Sequence, residues 1–133
     1  MKLTTFALGA LLIVAATNAP AQGAWVEFAR PNGSTASFDQ TTIEPDLSRE
    51  VAYFAWWRAD LSAPSIIDGK SYTSHLGRYR VDCMRRTLQQ SELLYFSAAG
   101  KQVAADGTSS EALPIANTLG ATFVKVICAR AGR

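Results

Sequence analysis

Apolar and polar residues alternate most plainly over residues 77–84 (GRYRVDCM). Tyr79, Val81 and Cys83 take one side, and Arg78, Arg80 and Asp82 the other. A period of two predicts a strand with one apolar face to cover and one charged face. Residues 50–58 (EVAYFAWWR) predict a second strand, apolar on both sides: Val51, Tyr53, Ala55 and Trp57 against Ala52, Phe54, Trp56 and Arg58. That is the pattern of a central strand covered twice. The C-terminal element is the expected first cover. Another subunit or a ligand is one candidate for the second. The alternative is that this face is partly wet, since Trp and Tyr are often half exposed.

Weaker patterns fill in the rest. Residues 25–28 and 35–39 flank Arg30-Pro31-Asn32-Gly33-Ser34, a turn sequence, so 25–39 reads as a hairpin. Residues 41–43 predict a short extended piece ended by Glu44-Pro45-Asp46. Residues 60–74 are rich in Ser, Pro, Gly and Asp and predict a long loop. Residues 91–105 read as a second hairpin about Ala98-Ala99-Gly100-Lys101. Residues 123–128 (FVKVIC) fit a strand by their β-branched content. They also fit a helix capped by Thr118, with Leu119, Phe123, Val126 and Ile127 on one stripe. Periodicity leaves both open.

The N-terminus changes the compartment. Lys2, the uncharged apolar run 3–16 and the small-x-small site Ala19-Pro20-Ala21 predict a signal peptide over residues 1–21. One domain over 22–133 is expected to follow, with cleavage after Ala24 as the alternative site. An N-terminal membrane anchor is the rival reading. The apolar run is near the minimum spanning length but ends in Asn18 and Pro20. No cysteine follows the cleavage site, so no lipid anchor is expected. A periplasmic or secreted protein follows.

In an oxidising compartment the only two cysteines, Cys83 and Cys128, are expected to form one structural disulfide. They match no zinc or C-x-x-C spacing, and no metal or other cofactor is expected. The full chain has 133 residues and a net charge of +2. Loss of Lys2 brings the charge nearer to zero, too weak a footprint for a nucleic-acid partner.

Catalytic signals are weak. His75 is the only histidine, it falls in the predicted loop, and no G-x-S-x-G or phosphate-binding glycine pattern occurs. A non-enzymatic protein is expected. The one constellation with chemistry is Trp56, Arg58, Arg78 and Arg80, which share a surface if their strands are neighbours. Guanidinium forks and aromatic rings suit an acidic protein segment, a sulfated glycan or a haem propionate. The bland reading is solvated charge, paired in part with Asp60 or Asp82. Pointing away from the Cys83 face, Arg78 and Arg80 are expected to be little buried and cheap to replace.

Several motifs occur together in one order and spacing. They are Ser37-Phe38-Asp39, Trp56…Asp60, Arg80-Val81-Asp82-Cys83 with Arg85-Arg86, Tyr95-Phe96-Ser97 with Gly100 and Val103, and Pro114…Leu119-Gly120…Ile127-Cys128. In these the chain resembles the surface-adhesin protein E family of secreted proteobacterial proteins. The resemblance implies an α+β fold: an antiparallel sheet of about six strands, with a C-terminal helix on its concave face tied by the disulfide. It thus implies helix over about 119–129. It also implies host extracellular-matrix proteins or an anionic ligand such as haem as partners, and a homodimer. The founding adhesin is lipid-anchored, whereas this chain has no cysteine to lipidate. The alternative function is a periplasmic inhibitor of a cell-wall hydrolase that inserts residues 61–76 into a cleft.

Overall fold

The computed structural model describes residues 24–132. The signal-peptide reading of residues 1–21 and the start at Gln22 lie outside them. Seven strands and one helix follow in order: β1 (Trp25–Ala29), β2 (Thr35–Asp39), β3 (Glu44–Pro45), β4 (Ala52–Ile67), β5 (Lys70–Asp82), β6 (Thr87–Phe96), β7 (Gln102–Asp106) and α1 (Leu119–Ala131). The strands form one antiparallel sheet in the order β1-β2-β4-β5-β6-β7, with β3 paired to β4 beyond the end of β2. The α+β class, the antiparallel sheet and the C-terminal helix agree with the expectation.

Local chemistry turns the chain where the sheet needs it. Asn32 (φ 50°) and Gly33 (φ 81°) carry the β1–β2 turn in the left-handed region that these two residues tolerate. Asp39 is buried and accepts from the Thr41 N–H (2.9 Å) and hydroxyl (2.7 Å). This Asx turn reverses the chain after β2. It also explains why the extended piece expected at 41–43 lies instead at Glu44 and Pro45, on an edge that needs no N–H from proline. Asp46 repeats the device with Ser48 (3.0 and 2.6 Å), and Asp82 takes the N–H groups of Met84 and Arg85, both at 3.0 Å. Val51, expected to open the apolar face of β4, precedes the strand at φ 48°, unfavourable for a β-branched residue, and is 48% exposed.

Residues 60–74 are not a loop. β4 and β5 run on through them as a two-stranded arm past the last pair that β4 makes with β2 (Asp60) and β5 with β6 (Ser74). Asp68 (φ 49°) and Gly69 (φ 73°) close it as a two-residue hairpin turn with both residues left-handed. The composition of 61–65 reflects an irregular stretch between the pairs Asp60↔Ser74 and Ser65↔Tyr72. Residues 62–66 are exposed, so burial does not select apolar side chains there, although Tyr72 on the facing strand packs against the Tyr95 ring at 4.9 Å. His75 consequently sits in β5 and not in a loop.

The helix covers the face that the alternation made apolar. Ala55, Trp57 and Val81 are buried with Phe123, Val124 and Ile127, and Tyr53, Tyr79 and Cys83 pack around them. Trp57 and Phe123 have ring centroids 5.0 Å apart, and Phe28 and Tyr79 stand 5.6 and 5.7 Å from Phe123. Gly77 makes room in this layer: a Cβ there would meet the Tyr79 ring at 2.5 Å. Thr118 caps α1 by accepting from the Ala121 N–H (3.4 Å). Cys83 and Cys128 are joined, with Cα atoms 5.7 Å apart, tying the end of β5 to the last turns of α1. The tie holds the helix to one face; on the other, β3 and the segment before α1 close over the Ala52–Asp82 end, and Trp56, Arg58 and Arg78 beyond it are only partly buried.

Candidate binding surface

Directly opposed residues in an antiparallel pair share a face. The register pairs Trp56 with Arg78, Phe54 with Arg80 and Arg58 with Leu76. All four residues singled out from the sequence, Trp56, Arg58, Arg78 and Arg80, therefore lie together on the face opposite α1. Leu94, paired with Leu76, extends the surface onto β6. Phe54 was not among the candidates, although the same two-residue step along β4 places it beside Trp56. The Arg78 guanidinium lies 4.2 Å from the Phe54 ring centroid, and that of Arg58 lies 6.0 Å from the Trp25 ring. Rings and guanidinium groups thus interleave from β1 to β5, each a contact of about 0.5–1 kcal/mol at an exposed site.

The arginines are not free charges. Arg58 pairs with Asp60 (3.1 Å) and Arg78 with Glu44 (3.6 Å). Arg80 lies 3.7 Å from Asp46 and 3.5 Å from Glu111 and also donates to Gln89. Its side chain is only 20% exposed and that of Arg78 32%, so the expectation of slight burial fails for both, more for Arg80: β3 and the segment before α1 close over that end of the sheet. Asp82, expected to answer an arginine of this face, pairs instead with Arg49 at 3.1 Å. The surface is apolar and aromatic along its middle and charge-balanced along its length.

Arg49, Arg80 and Arg85 meet Asp46, Asp82 and Glu111 at the Asp82 end of the sheet. Asp46 and Asp82 are buried, at 7% and 3% exposure. The Ser48 hydroxyl and N–H, ahead of the charges of Arg80 and Arg49, hold the Asp46 carboxyl below the usual range against burial. For Asp82 burial is the largest influence and pushes upward. The Arg85 N–H, the Arg49 guanidinium, the Arg85 charge and the Met84 N–H together outweigh it, and the net direction is downward. Glu111 is lowered in the same way, desolvation being overcome chiefly by Arg49. A carboxyl lowered on folding stabilises the fold above its unfolded pKa and loses that contribution as pH falls through the folded value. Thermal unfolding followed by circular dichroism is therefore expected to show a falling Tm below about pH 4. Asp82→Asn should flatten the acid limb, and a wild-type Tm level down to about pH 2 would contradict the account.

Elsewhere the chemistry is sparse. An open groove of about 550 Å³ between β3 and the end of α1 is lined by Gln40, Ile43, Tyr53 and Arg130 among others. His75, half-buried, lies with its ring 6.0 Å from that of Tyr95, and desolvation lowers its pKa despite the opposing charge of Asp60. Among the described residues its Nδ1 has no hydrogen-bond partner, and no helix is long and apolar enough to cross a membrane.

The family model described as surface-adhesin protein E matches residues 25–129. Solved structures of Haemophilus influenzae protein E share the fold. One superposes with a TM-score of 0.63 at 15% identity, covering 81% of this chain and 86% of that one. A second crystal form gives 0.61 at 15% identity over 81% and 99% of the two chains. The selenomethionine form gives 0.60 at 13% identity over 79% and 85%. No curated protein matches the sequence.

Proposed function

Because the chain belongs to the surface-adhesin protein E family, we propose that residues 22–133 act, after removal of a signal peptide at 1–21, as a secreted, non-enzymatic domain. It binds a protein partner through the outer face of β4 and β5. The observation that carries this reading is the register that sets Trp56 and Phe54 beside Arg58 and Arg78 on the face opposite α1, where all four are only partly buried. Aromatic residues and arginine dominate the energetics of protein interfaces. Host extracellular-matrix proteins are the partners the family suggests. The carboxylate beside each arginine favours a protein of mixed polarity over an anionic ligand such as haem, whose propionates would compete with Asp60 and Glu44 for the same forks.

The test is a binding screen against purified matrix proteins with the double variant Trp56→Ala/Arg78→Glu. Arg80 is spared because it holds Asp46 and Glu111. Affinity is expected to fall by at least about tenfold, a loss typical of an interface hot spot, measured at a temperature where circular dichroism shows both proteins folded. Unaltered affinity would remove this face from consideration.

The same face suits a two-fold dimer, because a charge-balanced patch can meet its own copy, arginine against acid. Light scattering at tens of micromolar should then give twice the monomer mass, and Trp56→Ala should lower it; a monomer throughout this concentration range counts against the dimer. A second reading, a periplasmic inhibitor of a cell-wall hydrolase, is favoured by the arm beyond Asp60 and Ser74, near whose tip Ile66 is 66% exposed. Inhibition of lysozyme that disappears when the arm is shortened would support it.

A further inference from the structure

The β1–β2 turn is held to the base of the β4–β5 arm by three hydrogen bonds. The Ser62 N–H donates to Ser34 Oγ (3.0 Å), the Ser62 hydroxyl to the Asn32 carbonyl (3.1 Å), and the Ser34 hydroxyl to Ser62 Oγ (3.4 Å). Asn32 is exposed, and among the described residues its side-chain amide takes part in no hydrogen bond. The next residue is Gly33, whose missing side chain leaves the backbone nitrogen unhindered.

We propose that Asn32 is a site of spontaneous deamidation and that the Ser62 clasp sets its rate. In the first step the Gly33 amide nitrogen, after giving its proton to solvent base, attacks Cγ of Asn32. A carbon–nitrogen bond closes a five-membered imide, and the side-chain nitrogen leaves as ammonia. Water then adds to either imide carbonyl. Ring opening leaves an aspartyl residue at position 32 or its isoaspartyl isomer, in which the chain continues through the side-chain carbon. No oxidant, metal or second protein is required.

The geometry explains why the folded chain resists this step. Ring closure needs Cβ of Asn32 and the Gly33 nitrogen nearly eclipsed about the Cα–C bond. At φ 50° and ψ 38° that nitrogen is turned away from Cγ. The peptide between Asn32 and Gly33 has to rotate, and rotation removes the Asn32 carbonyl from the Ser62 hydroxyl. Deamidation therefore proceeds from a locally opened turn, whose population the clasp controls. The product carries a new negative charge. In the isoaspartyl form the turn gains a backbone atom, so the Asn32–Ser62 bond no longer fits and the arm loses an attachment to β1 and β2.

The experiment follows the intact chain by peptide mass spectrometry and an isoaspartyl-specific methylation assay at about pH 8 and 37 °C, with the urea-unfolded chain as reference. Conversion at position 32 is expected in the native protein, slower than in the unfolded reference and slower again at pH 6. Ser62→Ala should accelerate the native rate roughly two- to tenfold, the scale of one net hydrogen bond, and leave the unfolded rate unchanged. Ser34→Ala, which removes the acceptor of the Ser62 N–H, provides the same test if Ser62→Ala fails to fold. Equal native rates in wild type and both variants overturn the gate. No product at position 32 in the native protein, while the unfolded chain converts fully, overturns the site.

Discussion

Replacing Cys83 and Cys128 together with alanine is expected to lower the free energy of unfolding by about 4 kcal/mol, the chain-entropy cost released when a loop of this size is opened. The two residues are 45 apart in sequence. For a domain whose total stability is on the order of 5–15 kcal/mol, this is a large share. The structural consequence is local at first. α1 touches the sheet through a short apolar face centred on Phe123, Val124 and Ile127. Without the tie it is free to lift from Trp57, Tyr79 and Val81. Urea titration of the oxidised wild type against the double variant measures the difference. The same shift should appear when the wild type is reduced. A midpoint that does not move with either treatment would show that the helix is held without its staple.

Phe123→Ala is expected to cost about 3–5 kcal/mol, the range for truncating a buried phenylalanine. Phe123 is fully buried, and its ring meets those of Phe28, Trp57 and Tyr79. Three strands and the helix converge on this one side chain, so no single neighbour can move in to fill the void. Near-ultraviolet circular dichroism from Trp57 should weaken along with the urea midpoint. Because the disulfide and Phe123 hold the same helix, their effects should not add. Once α1 is free to detach, Phe123→Ala has less left to destabilise. A loss below about 1 kcal/mol in the oxidised protein would mean that the ring cluster is not the seat of the core.

The faces of β4 and β5 were legible because alternation is a property of a few adjacent residues. Tyr79, Val81 and Cys83 do face the helix, and Arg78 and Arg80 do face away. The pairing of Cys83 with Cys128 was legible from the count of two and from the absence of any zinc or C-x-x-C spacing. The helix was legible only through the family resemblance, since residues 123–128 fit a strand by their β-branched content as well as a helix. The composition of 60–74 hides the arm, whose one local signal is the hairpin turn chemistry of Asp68-Gly69. The burial of Arg80 has no local signal, because its cover comes from Asp46 and Glu111, far from it in the chain.

By itself, then, the sequence determined which side of β5 is apolar and which two thiols are joined. These follow from spacing within one element or from a count over the whole chain. Only the tertiary structure decided that Trp56 stands opposite Arg78 and that each arginine of that face has a carboxylate. It likewise decided that Arg49 bridges Asp82 and Glu111, the latter 62 residues away. Register and ion pairing depend on which distant segments come into contact, and that is set by burying the Phe123 layer and closing the turns together rather than by any local pattern.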